Sequence, residues 1–193
     1  MNTGPRRPDI ARELIDRAAK AREHWDRLAR TQLSAELAGM GRHADYANAC
    51  VLKRIVADHG WPDVALVGED GARAAWQIAL HTDADMQRDV QQLFCRALHE
   101  AAQRGTASIQ QWAHLNDRCL LNNGHLQLYG TQYRLGPEGP ERQPVLDPAT
   151  LDERRAELGL PPAANSLRRV RARLSGEPRA DDGGPGGELP DAA

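Results

Sequence analysis

Residues 82–105, TDADMQRDVQQLFCRALHEAAQRG, decide the fold. Met86, Val90, Leu93, Phe94, Ala97, Leu98 and Ala101 recur every three or four residues and so fall on one stripe of an α-helix. Thr82 and Asp83 supply an N-cap, and Gly105 stops the element, giving an expected helix over 83–103.

The same pattern extends toward the N-terminus. Residues 71–80 form a thin helix of Ala72, Ala74, Ala75 and Ala79 anchored by Trp76. A loop through Gly68 precedes it, and His59-Gly60-Trp61-Pro62 breaks the helix before that, because Gly60 accepts a left-handed conformation and Pro62 cannot continue a helix. That earlier helix, 44–59, is expected to bury Tyr46, Ala49, Cys50, Leu52, Ile55 and Val56. The first helix, 8–36, carries Ile10, Leu14, Ala18, Ala21, Trp25, Leu28 and Gln32 on one stripe, with Gly39 and Gly41 ending it.

Toward the C-terminus, a fifth helix over 108–122 presents Ile109, Trp112, Leu115 and Cys119. Residues 126–146 change character to Leu, Tyr, Gly and Pro, the signature of a small hairpin or ordered loop pair. A short helix over 149–158 and a basic capping segment over 163–174 follow. Residues 175–193 are Gly, Pro, Asp and Glu with almost nothing to bury and are expected to be disordered, as is a flexible 1–7. The expected architecture is therefore all-α: one helical domain over 8–162, a compact bundle of five to six helices with a hairpin-like insert.

Composition agrees. The 193 residues are 40% hydrophobic and only 4% aromatic, so the core is built of Leu, Ala, Val and Ile, which suits closely packed helices. A net charge of −2 gives no global pull toward nucleic acid or anionic membrane. No apolar run is long enough to span a bilayer, and the polar start is not a secretory signal, so a soluble cytoplasmic protein is expected. Cys50, Cys95 and Cys119 are scattered, lack a CxxC pairing and have apolar flanks, which reads as buried reduced thiols.

An ordered set of short pieces is more specific than any one of them. His59-Gly-Trp-Pro62, Gly71-Ala-Arg-Ala-Ala-Trp76, His81-Thr-Asp83, Asp117-Arg118, Tyr129-Gly-Thr-Gln132, Asp147-Pro148 and Asp152-Glu-Arg-Arg155 occur in this order. Together they resemble a bacterial family of unknown function over roughly residues 45–162. The resemblance implies a mostly helical fold with an irregular section near Tyr129, and it implies no activity, cofactor or substrate.

Five constellations could carry chemistry. His81, Asp83 and Asp85 meet at a helix-to-helix bend, where an imidazole and carboxylates could hold a divalent metal, although helix-end capping alone accounts for all three and the HExxH spacing is absent. The metal is thus a possible cofactor but not the favoured reading. His59 is a candidate base with Trp61 as a pocket wall, or simply part of a helix stop, and His81 is a second candidate catalytic histidine. Asp117 is a candidate catalytic carboxylate, or half of a structural ion pair with Arg154 or Arg155. Arg118 is a candidate anion binder. Tyr129, Thr131 and Gln132 offer neutral hydrogen-bonding groups around Gly130, for substrate orientation or as a buried polar plug. The arginines of 168–173 fit an amphipathic capping helix better than a phosphate contact. Phosphate-binding, dinucleotide and nucleophile-elbow motifs are absent.

Two functional classes follow. One is a small hydrolase-like enzyme with a polar pocket between helices that takes a small molecule. The other is a non-enzymatic module that binds a protein partner. Convergence of His59, His81, Asp117 and Gln132 on one cleft would favour the first, and side chains pointing to separate places would count against an enzyme built on these four.

Overall fold

The computed structural model describes residues 4–29, 35–82 and 84–175. Among these residues the chain is mainly helical: α1 (Pro8–Ala29), α2 (Ala35–His59), α3 (Val64–Leu80), α4 (Ala84–Gln103), α5 (Ile109–Asn122), α6 (Leu151–Glu157) and α7 (Ala163–Ser175). A two-stranded antiparallel hairpin, β1 (Tyr133–Gly136) and β2 (Gly139–Arg142), is the only sheet there, with Tyr133 opposite Arg142 and Gly136 opposite Gly139. Of the tail expected over 175–193, Ser175 is the last residue of α7, and residues 176–193 lie outside the described residues.

The core gathers around α3. Its small residues Ala75 and Ala79 leave room for Leu14 and Ala18 of α1, Leu52 of α2 and Phe94 and Leu98 of α4, all essentially sealed from solvent. Trp76 fills the space that these alanines leave, and its indole N–H donates to the Gln111 carbonyl on α5 at 2.9 Å. Replacing a buried tryptophan by alanine costs about 3–5 kcal/mol, so this side chain fixes how α3 meets α5. Arg6 and Arg7 also tie in, donating backbone N–H groups to the Ala65 and Leu66 carbonyls.

Three expectations need correction. Gly39 and Gly41 lie inside α2 rather than ending α1, and Ala35 and Glu36 belong to α2. The reason is a close approach: a Cβ on Gly41 would sit 1.8 Å from the His24 ring, so glycine here is a packing requirement and not a stop signal. The loop before residue 71 is a helical turn, capped by Asp63, whose carboxylate accepts from Leu66 N at 2.9 Å. Gly68, at φ 74°, then kinks α3. On α2, Tyr46 and Cys50 face solvent, while Asp45 and Asn48 take the buried side with Ala49, Leu52 and Ile55. The basic segment forms α7, a helix that buries Ala163, Ser166 and Val170 and packs on the hairpin, in keeping with an amphipathic cap.

Candidate functional site

The first polar cluster surrounds Asp117 on α5. Its Oδ1 accepts from the backbone N–H groups of Leu128 at 2.8 Å and Tyr129 at 3.1 Å. Its Oδ2 accepts from Thr131 N at 3.0 Å and Thr131 Oγ1 at 2.9 Å, with Tyr129 N at 3.2 Å. A carboxylate offers about four lone-pair sites, and here all are taken. Burial pushes the Asp117 carboxyl up while these donors pull it down. The expected ion pair with Arg154 or Arg155 is replaced by main-chain donors.

Both arginines instead grip carbonyls around the same loop. Arg154 donates to Leu128 O at 3.0 Å, Leu146 O at 2.6 Å and Asp147 O at 3.1 Å. That last contact helps hold Asp147 in the left-handed region at φ 45°, where an L-residue is strained. Arg155, only 2% exposed, reaches Tyr129 O, Pro161 O and Ser166 Oγ. Gln132 donates to His114 O and to Thr131 Oγ1, and Gln127 closes the turn by binding Gln132 N, Gln132 O and Gln143 O. Thr131 and Gln132 are thus buried bracing groups. Tyr129 keeps a half-buried ring, edge-on to Trp112 with centroids 5.9 Å apart.

The second cluster sits where α1, α2 and the end of α3 meet. The Trp25 indole N–H donates to Asp45 Oδ1 at 2.8 Å, and the other carboxylate oxygen lies 4.0 Å from His24 Nε2. His81, the C-cap of α3, stacks flat on Trp25 with ring centroids 4.2 Å and planes 8° apart. Burial, then the neighbouring Arg118 and His24, lower its pKa to about 3 and keep the imidazole neutral. Gly41 makes the room for His24. Two imidazoles, a carboxylate and a guanidinium therefore share one small, largely buried region walled by an indole.

Of the residues singled out in the sequence, His81 lies there, with the Arg118 charge near enough to act on it. Asp117, Thr131 and Gln132 belong to the loop brace. His59 is exposed and contacts Arg7 at 3.1 Å, at the opposite end of α1 from Trp25, roughly 27 Å away at the helical rise per residue. The four side chains expected to converge do not share one cleft. Asp83 and the Asp85 side chain lie outside the described residues, and among those described no group of three His, Cys, Asp or Glu could hold a metal. His24 and Asp45 escaped the sequence reading. Their signal was present: His24 falls between Ala21 and Leu28 on the apolar stripe of α1, and Asp45 is one helical turn before Ala49.

Fold and clusters together define a mainly α-helical domain with two buried polar centres, one bracing an insert and one with imidazoles against a carboxylate. A family model described as a family of unknown function (DUF6624) matches residues 9–174, and the chain belongs to that family. No curated protein and no solved structure is matched. No helix among the described residues is long and apolar enough to cross a membrane.

Proposed function

We propose that the protein is a small hydrolase-like enzyme whose reacting groups lie in the His24–Asp45–His81–Arg118 cluster. The observation that carries this reading is the Asp45 carboxylate, 7% exposed, held between the Trp25 indole and the His24 ring. A carboxylate 4.0 Å from an imidazole favours its protonated form through charge, which suits His24 to act as a general base. His81, kept neutral, can accept or donate a hydrogen bond without bringing charge. Arg118 beside it would hold an anionic group of the substrate.

The test uses three probes, p-nitrophenyl phosphate, bis(p-nitrophenyl) phosphate and p-nitrophenyl acetate, on the full chain and on His24→Gln and Arg118→Met. Turnover of any probe that falls at least about a hundredfold in His24→Gln, with the melting temperature kept, supports the reading. Turnover unaffected by either variant, or none with any probe, overturns it.

A second reading, a protein-binding module, draws on the insert. Leu126, Leu135 and Leu146 are each about half exposed there, while the polar residues around them are spent on bracing. Silence with all three probes would favour it.

A further inference from the structure

We propose that Cys95 and Cys119 are a redox pair, in which a hydroperoxide oxidises Cys95 and Cys119 resolves the product to a disulfide joining α4 to α5. The sequence gives these thiols apolar flanks, but the fold gives Cys95 a polar setting. It is partly exposed on α4, with Cys119 and the Trp112 indole of α5 close enough to act on its sulfur and the Arg96 charge nearby. Its sulfur is 3.9 Å from Asn116 Oδ1, and the Asn116 Nδ2 is buried without an acceptor. Half a turn of that amide, which leaves its shape unchanged, sets an N–H on the Cys95 sulfur. Cys119, the Trp112 indole and the Arg96 charge favour the thiolate against the burial that opposes it, and the shift at Cys95 is downward. Cys119 is buried, 3.7 Å from the Gln91 carbonyl one helical turn before Cys95, and is held as the thiol. A partly exposed thiolate beside a protonated partner is the arrangement that redox-sensing cysteines use.

The chemistry balances with a hydroperoxide as the oxidant. The Cys95 thiolate attacks the terminal peroxide oxygen, the O–O bond breaks, and the leaving alkoxide or hydroxide takes a proton, leaving a sulfenic acid. The Cys119 sulfur then attacks the Cys95 sulfur, the S–O bond breaks, and the hydroxyl leaves as water with the Cys119 proton. Two thiols are oxidised by two electrons and the peroxide is reduced.

The experiment treats the folded full chain with graded hydrogen peroxide and maps tryptic peptides by mass spectrometry. The two cysteines fall in separate peptides, 89–96 and 119–134, so a cross-link is read directly. The expected result is a linked pair lighter by two hydrogen atoms, formed at least about tenfold faster than oxidation of the exposed Cys50. Cys119→Ala should then trap a dimedone adduct at Cys95, and Cys95→Ala should leave Cys119 reduced. Oxidation confined to Cys50, or a Cys95 that proceeds to sulfinic acid in the unmodified sequence with no cross-link, overturns the proposal.

Discussion

Thr131 gives both its backbone N–H and its hydroxyl to a single oxygen of Asp117, at 3.0 and 2.9 Å. One carboxylate on α5 thereby sets the conformation of a loop that has no regular ladder of its own. Asp117→Ala strands these donors in a buried site and should cost roughly 3–5 kcal/mol in urea unfolding. Thr131→Val, which removes the hydroxyl alone, should cost about 1–2 kcal/mol. A loss below about 1 kcal/mol for Asp117→Ala would show that the loop is held some other way.

Arg155 and Arg154 are neighbours in sequence and unequal in depth. Arg155→Met leaves two carbonyls and the Ser166 hydroxyl without their charged donor in a sealed site, and a loss of roughly 3 kcal/mol or more is expected. Arg154→Met acts at a partly solvated site, where water replaces the donor, and should cost about 1–2 kcal/mol. Equal losses from chemical denaturation of the two variants would contradict this order.

Gly41→Ala tests the close approach of α2 to His24. The added methyl occupies the ring's position, so the imidazole must move off Asp45. The expected cost is about 1–3 kcal/mol, and the His24 ring resonances in an NMR spectrum should shift. An unchanged melting temperature and unchanged resonances would refute the contact.

Acid should weaken the fold through two imidazoles. His81 and His114 both have pKa lowered from 6.5 to about 3, chiefly by burial. The unfolded chain therefore takes up their protons first as pH falls below about 6.5, while the folded chain does not, so the stability they contribute is present above that pH and lost toward pH 3. The slope approaches about 1.4 kcal/mol per pH unit for each ring. Asp117, pushed up by burial, acts in the opposite sense. Urea midpoints measured from pH 7.5 to pH 4.5 should fall, and less steeply in His114→Gln; parallel profiles would remove His114 from this account.

The helical class was legible because Leu14, Ala18, Ala21 and Trp25 on α1, and Phe94, Leu98 and Ala101 on α4, repeat at helical spacing and are the residues buried. The insert was legible from its glycines and prolines. Asp45 and Asn48 show where pattern reading fails. Periodicity sorts side chains by polarity, so it sent these two outward and Tyr46 inward, whereas Asp45 is held inside by the Trp25 N–H and Asn48 by Arg17. The roles of Asp117 and Arg155 were hidden for a related reason: most of their partners are backbone groups, which leave no trace in residue identity. The separation of His59 from the other candidates was hidden as well, because a histidine at a helix stop reads alike whether it faces a cleft or, as here, Arg7 at the surface.

The grip of α6 on the insert carries a consequence for the order in which the molecule closes. A chain growing from its N-terminus can bring α1 to α4 together as each emerges, yet the α5 carboxylate has no donors until the loop at 128–131 follows it, and that loop has no hold on its own carbonyls until Arg154 and Arg155 arrive. A segment made later is thus a latch on an irregular segment made earlier, and a ribosome-stalled chain ending before residue 151 should carry an assembled helical body with an open, protease-sensitive insert.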